Sequence, residues 1–392
     1  MKLRAVLANA AVIGVALLVG LALCELGARV FLRASDFLGV EMVRDDILGG
    51  VPVRSASGGR FDEWGFRNPA VPESVDIVAI GDSHTFGNTA TMDDSWPYVL
   101  SRQSGQSVYN MGMGGYGPNQ YAHLLSSRAL GLKPKTIIVG LYMGDDFENA
   151  YLITYGLEHW RRLRGPAPRS ADFDIWTSPP ALSWHKRLRV WLSRNSLLYQ
   201  LVFHGPLLGS VKGEVQIRNA AALHDGAVTL DLTDKNILEA FLPRNLLKNL
   251  DQNSEPVREG MRITYQLLGE MNQIAREAGV RFLVAVIPTK EMVFAEYLEH
   301  DEFNPEGAVI DRLLANERIA RERTFGFLQS AGIDHVDTLP ALRNNAGQRL
   351  YARTSTDMHP GPNGYRVIAG AIGNALTRLH TTANGTRPQG PN

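Results

Sequence analysis

Val75-Asp-Ile-Val-Ala-Ile-Gly-Asp-Ser-His-Thr-Phe-Gly87 is the stretch whose reading decides the fold. Its first half, Val75 to Ile80, is a short β-branched apolar run suited to a fully buried strand, and Gly81 ends it. Two further runs share that character: Lys135-Thr-Ile-Ile-Val-Gly-Leu-Tyr142, and Arg281-Phe-Leu-Val-Ala-Val-Ile287 closed by Pro288. Helical patterns alternate with them. Pro118 to Ala129 opens with proline at a favourable first position, Val257 to Ala278 is long and amphipathic, and Pro362 to Leu379 comes last. Buried strands alternating with helices predict an α/β fold, a three-layer sandwich with a central parallel sheet. Ser83 then falls just past the carboxyl end of a strand, where open α/β sheets bind their ligands.

The whole chain, 392 residues with 44% hydrophobic content, is large enough for one sizeable core or two modest ones, which excludes overall disorder. Lys+Arg and Asp+Glu both number 40, so no global charge points to nucleic acid. The single cysteine, Cys24, excludes an intramolecular disulfide and a cysteine-built metal site. The histidines show no ligand spacing, so no metal is expected, and no cofactor either. Gly112 to Gly117 lacks the lysine and hydroxyl residue of a nucleotide-binding loop.

Upstream, Ala5 to Cys24 is apolar except for Asn9, which is long enough to span a bilayer. A cleaved signal needs a shorter run followed by small residues, whereas Leu21, Leu23, Cys24 and Glu25 follow here, so an uncleaved anchor is expected. The bulky Leu23 before Cys24 argues against lipidation. The amino terminus, Lys2 and Arg4 on one side, against Arg29 and Arg33 with Glu25 on the other, favour the amino end inside and the body outside the cytoplasm. In a Gram-negative cell the body would be periplasmic.

These boundaries give 1–33 as the membrane anchor, 34–74 as a connector exposed around Arg54 to Arg60, and 75–150 and 256–380 as two halves of one α/β domain. Residues 151–255 break the strand and helix alternation and read as a helical cap or insertion. It holds Trp160, Trp176, Trp184 and Trp191 among many arginines and lysines. These aromatics can pack the cap onto the body, lie at a membrane surface, or stack on sugars. The polar Gly/Pro tail 381–392 is expected to be disordered.

Gly81-Asp-Ser-His-Thr-Phe-Gly87, Asn110-Met-Gly-Met-Gly-Gly-Tyr-Gly117, Gly144-Asp-Asp146 and Asp357-Met-His-Pro360, in that order, resemble blocks I, II, III and V of the SGNH/GDSL hydrolases. The likeness runs from about residue 64 to 379 and includes Gly65-Phe-Arg67. It implies the flavodoxin-like SGNH sandwich and a triad: Ser83 as nucleophile, His359 as its base, and Asp357 to orient the imidazole. It also implies an oxyanion hole from the N–H groups of Ser83 and Gly115 and from the block III position, Asp145. His84, adjoining Ser83, and Asn119 and Asn149 are candidates to touch substrate.

Two positions depart from the family. Its usual Asp lies three residues before His, where this chain has Thr356. A two-residue spacing recurs in relatives implicated in alginate acetylation, which also carry a segment similar to Ile287-Pro-Thr-Lys-Glu-Met-Val-Phe-Ala-Glu-Tyr297. In those relatives, however, Asp and His precede Ser. Asp145 stands where the family has an Asn that donates to the oxyanion; an ionised carboxylate cannot donate, so Asp145 must be protonated or replaced by Asn119 or Asn149. The expected function is an esterase or O-acyltransferase acting on an ester, foremost O-acetyl, of an extracytoplasmic carbohydrate. The competing expectation is a catalytically weak, glycan-binding scaffold of an envelope or exopolysaccharide assembly.

Overall fold

The computed structural model describes residues 2–40, 42–52, 61–166, 183–204, 213–298, 306–351 and 356–385. Five parallel strands carry the body: β3 (Ile77–Gly81), β4 (Val108–Gly112), β5 (Thr136–Tyr142), β8 (Arg281–Ile287) and β9 (Asp334–Asp337), in the order β4-β3-β5-β8-β9. The chain leaves β3 for β4 on one side and then returns to place β5 on the other. The carboxyl end of β3 is therefore a switch point of the sheet, the usual place for a ligand crevice.

Alternation along the strands builds the two outer layers. Val78 and Ile80 of β3 share a core with α4 (Pro118–Ser127), α5 (Asp146–Gly156), α8 (Glu255–Glu277) and α9 (Gly307–Ser330), while Ile77 and Ala79 face α3 (Trp96–Ser104) and α10 (Pro362–Gly385). The expected α/β sandwich is thus the observed fold. A bilayer-length helix, α1 (Lys2–Phe31), precedes it; its apolar part is unburied by the protein, as suits a membrane anchor or a signal segment.

The strands read from sequence are the three central ones, whose two covered faces demand apolar residues throughout. The edge strands β4 and β9 escaped, because β4 carries Asn110 and Gly112 and β9 is Asp-His-Val-Asp. Helix α9 escaped because its buried side includes Glu317, Arg321 and Thr324, which blur the apolar stripe.

Several boundaries shift. Helix α5 runs across the expected 150/151 boundary, with Tyr151 and Ile153 buried in the body. The connector 34–74 contributes the hairpin β1 (Met42–Asp45) and β2 (Gly49–Pro52) and the buried Phe66, Arg67 and Asn68, so part of it belongs to the body; its stretch Arg54 to Arg60 lies outside the described residues. The insertion is not purely helical. It holds α6 (Trp184–Asn195), α7 (Leu197–His204) and the antiparallel hairpin β6 (Val228–Leu232) and β7 (Ile237–Phe241). Helix α10 extends to Gly385, so the tail begins later than Thr381, and 386–392 lie outside the described residues.

Candidate active site

Ser83 opens α2 (Ser83–Phe86), one helical turn set on a floor of three glycines. Gly81, Gly112 and Gly140 stand in register on β3, β4 and β5. A Cβ at Gly112 would lie 2.2 Å from the Phe86 nitrogen, and one at Gly81 2.0 Å from Thr85 Oγ1. Only hydrogen at these positions lets the turn sit this close to the strand ends.

Side chains then grip the turn from both ends. Asp82 caps it: Oδ1 accepts the His84 N–H at 2.9 Å, satisfying one orphan donor of the first turn. Buried Arg67 closes the other end, donating to the carbonyls of Phe86 (2.5 Å), Gly87 (3.0 Å) and Ala90 (3.2 Å). From β4, Asn110 donates to Thr85 O at 2.9 Å while its Oδ1 accepts the Gly112 N–H at 2.8 Å.

The loop before α10 brings the other two residues. His359 Nε2 lies 2.8 Å from Ser83 Oγ, and His359 Nδ1 2.7 Å from Asp357 Oδ1. The same oxygen also accepts the His359 backbone N–H at 2.9 Å. That is an Asx-type turn, in which a carboxylate accepts the N–H two residues on. It explains how a two-residue spacing works: the turn that sets the backbone also sets the ring. Burial alone would raise the Asp357 carboxyl, but the two His359 hydrogen bonds, the imidazole charge and the Lys290 cation outweigh it and hold it below its ordinary value.

This loop is fastened from a distance. Lys290 Nζ, buried, donates to Asp357 O at 2.9 Å and pairs with Glu239 of β7 at 3.3 Å. Thr89 Oγ1 donates to Pro360 O at 2.7 Å, and Pro360 forms a β-bridge with Tyr351. Lys290 and Glu239 were not read as site residues from the sequence. The signal for Lys290 is its place three residues beyond an apolar strand, in the segment similar to the alginate acetylation relatives; its partner lies 51 positions away.

Around Ser83 the Gly-rich segment closes in: a Cβ at Gly114 would lie 3.9 Å from Ser83 Cβ, and Gly115 takes φ of 77°, a left-handed conformation that suits glycine. Gly117 runs against Asn149, whose Cβ would sit 2.8 Å from an added Cβ. Asp145 stands at the N-cap of α5, and its Oδ1 is sealed from solvent with no hydrogen-bond partner among the described residues. Burial, with the charges of Asp82 and Glu148, pushes its carboxyl well above the ordinary range against the pull of an Asn149 hydrogen bond. Asp146 is also pushed up, chiefly by burial, yet it accepts bonds from Tyr121 Oη and the Tyr142 N–H, both at 2.8 Å. Of the two, Asp145 is the one whose Oδ1 has no hydrogen-bond partner among the described residues.

Two candidate contacts are corrected. His84 is buried and points into the fold, its Nδ1 3.0 Å from Asp82 Oδ2 and its ring stacked on Tyr142 at 3.7 Å. Burial lowers its pKa despite Asp82, and its ring lies 4.8 Å from that of His359. Asn119 is buried too, and its Nδ2 donates to Thr154 Oγ1 of α5 at 3.0 Å, a structural contact within the fold.

Residues 248–390 match the family described as the SGNH hydrolase-like domain of acetyltransferase AlgX. The match takes in Lys290, Asp357 and His359 and leaves out Ser83. No curated protein matches significantly. Among solved structures, the chain is similar to a protein described as lipolytic and of the G-D-S-L family from Desulfitobacterium hafniense, at 13% identity and a TM-score of 0.38, covering 77% of this chain and 100% of that one. It is also similar to a GDSL-like lipase from Bacteroides thetaiotaomicron (10%, 0.36, 79% and 93%) and to a variant of an acetyl-xylooligosaccharide esterase from Geobacillus Stearmophilus (10%, 0.33, 78% and 95%). Over residues 248–390 the chain thus resembles the SGNH hydrolase-like domain of acetyltransferase AlgX.

Proposed function

We propose that this chain is a serine-dependent esterase or O-acyltransferase acting on an O-acetyl or similar ester of an extracytoplasmic carbohydrate. One observation carries the reading: the unbroken line from Ser83 Oγ through the His359 ring to Asp357, with contacts of 2.8 and 2.7 Å. A serine hydroxyl is a poor nucleophile until a base takes its proton. His359 Nε2 takes it as Oγ attacks the ester carbonyl, and Asp357 stabilises the imidazolium. The tetrahedral intermediate collapses as His359 protonates the leaving sugar hydroxyl, which leaves the acyl group on Ser83. Water then yields a hydrolase; an acceptor hydroxyl yields a transferase.

For the oxyanion, Ser83 is the first residue of α2, so its N–H is one of the unpaired first-turn donors. The Gly115 N–H and the neutral Asp145 carboxyl complete the set, Asp145 donating in place of the family's Asn. The match to the AlgX acetyltransferase domain supports an acetyl group and a polysaccharide setting. Helix α1 supports an anchored body outside the cytoplasm.

The test uses the full chain in detergent. A serine-directed phosphonate should modify Ser83, located by mass spectrometry, and Ser83→Ala should lose both the adduct and turnover of an aryl acetate, a drop of about 10⁴-fold or more. A folded protein with no adduct at Ser83 would instead favour a glycan-binding scaffold.

A further inference from the structure

The bilayer-length helix and the tryptophan-bearing insertion, neither used by the chemistry above, meet in the fold. The apolar run Ala5 to Cys24, at 1.5 Å per residue, is about 30 Å long, the thickness of a hydrocarbon core. Glu25 is the first charge beyond it, and its carboxylate receives the start of α7: Oε2 accepts from Ser196 Oγ and the Leu198 N–H, both at 2.9 Å, and Oε1 from the Leu197 N–H at 3.1 Å. Arg29 adds a bond of 2.5 Å to Asn195 O at the end of α6. The turn between α6 and α7 is thereby fixed at the level where the apolar run stops.

What α6 and α7 display at that level is unusual for a water-facing surface. Trp184, Leu188 and Trp191 recur at helical spacing and are 76%, 47% and 59% exposed; Val202 and Phe203 of α7 are 43% and 50% exposed. Helix α6 also carries Lys186, Arg187, Arg189 and Arg194 and no acidic residue. Between these helices and α1 lies a mainly apolar groove of about 940 Å³, walled by Trp191, Leu192, Val202 and Phe203 on one side and Leu21 and Ala22 on the other. Leu21 and Ala22 belong to the apolar run itself, so the groove reaches the depth of the acyl chains.

We infer that the α6–α7 hairpin is a membrane-interface element: its tryptophans and α7 apolar residues enter the outer part of the bilayer that holds α1, lipid acyl chains fill the groove, and the α6 cations face anionic lipid phosphates. Aromatic rings at the headgroup level and a basic polar face are the pattern of helices lying in an interface. The inference rests on α1 spanning the bilayer, and the experiment separates the two. In full-chain protein with Cys24→Ser, spin labels are placed by Trp184→Cys, Trp191→Cys or Phe203→Cys, with Ile13→Cys as the anchor control, in vesicles of mixed neutral and anionic lipid. All four labels should favour oxygen over a water-soluble nickel chelate as relaxant. A buried Ile13 label with water-like labels at the other three sites overturns the hairpin's membrane contact and leaves the anchor standing; a water-like Ile13 label overturns both. An unlabelled readout guards against misfolded variants. Brominated lipids should quench tryptophan fluorescence of the otherwise unaltered chain, and Trp184→Phe with Trp191→Phe should remove about half or more of that quenching. No quenching in the starting protein overturns the inference as well.

Discussion

The seat of Ser83 and the seat of His359 are built by opposite means. Ser83 rests on strand ends: three glycines in register, a one-turn helix, a cap supplied by the adjacent residue. His359 rides on a loop whose position depends on side chains far off in sequence, Lys290 from the end of β8 and Glu239 from the hairpin of the insertion. Backbone register places one residue, and a buried ion pair places its partner. The first arrangement is fixed by the fold itself. The second ties the His359 loop to the insertion through Lys290 and Glu239.

The largest effect that can test this division comes from Asp145, at the end of β5 on the strand-built side. If its neutral carboxyl donates to the oxyanion, kcat/KM for an activated acetate ester has a falling limb at high pH. The rate falls as pH passes the raised Asp145 pKa, because deprotonation removes a donor and adds a repelling charge. Asp145→Asn should lose the fall and exceed the starting protein at high pH by about 100- to 1000-fold. Superimposable profiles would place Asp145 outside the oxyanion environment.

Gly112→Ala attacks the nucleophile's floor. A Cβ 2.2 Å from the Phe86 nitrogen must push α2 out of place, and kcat/KM and the phosphonate reaction rate should fall together by about 100-fold or more. Unchanged rates would mean that the floor does not position Ser83.

On the loop side, Lys290→Met should lower kcat by about 10- to 100-fold with little change in KM, since the loop loses its fastening to Asp357 O. It should also destabilise the protein, as the buried Glu239 loses the Lys290 cation. Adding Glu239→Leu should recover stability but not kcat. If kcat recovers too, Lys290 acts only through stability, and the contrast between the two seats collapses.

The smallest effect concerns the base of that loop. Glu317, fully buried, accepts the Thr289 N–H at 3.1 Å and the Thr289 hydroxyl, and burial raises its pKa from 4.5 to about 7 despite those bonds. A raised pKa means stability is fully present below pH 4.5 and is lost as pH climbs to about 7, a loss of about 3 kcal/mol. Glu317→Gln should flatten that decline, measured by urea unfolding at pH 5 and pH 7.5. A decline that persists would assign it to other groups.

The same division decides what could be read from the sequence. The central strands and the Gly-Asp-Ser turn were legible because local pattern makes them: apolar runs covered on both faces, then glycine. Ser83, Asp357 and His359 could be named from motifs, and the structure brings the three together within hydrogen-bond reach. Lys290 and Glu239 could not be paired, since nothing local marks two charges 51 residues apart as neighbours. His84 and Asn119 misled for a related reason: a polar residue beside a motif is as easily a buried structural partner as a substrate contact, and only Asp82 and Thr154 decide it. The tryptophans of the insertion divide in the same way. Trp160 is buried and donates to Ile47 O at 2.8 Å, whereas Trp184 and Trp191 face outward; Trp176 lies outside the described residues.

The joint after the amino-terminal helix has a consequence for how such an enzyme would search for its substrate. Arg33 pairs with Asp93 at 2.6 Å, Asp36 accepts the Met92 N–H at 2.7 Å, and Glu25 and Arg29 hold the insertion. A flexible leash would let the body sample a hemisphere of volume, with an effective concentration set by linker length. A stiff joint removes that freedom. With the helix in a bilayer, Ser83 would be carried at one height and one tilt, scanning a plane as the molecule diffuses laterally. Polymer that passes at that height would be served, and soluble fragments elsewhere in the compartment would be met far less often.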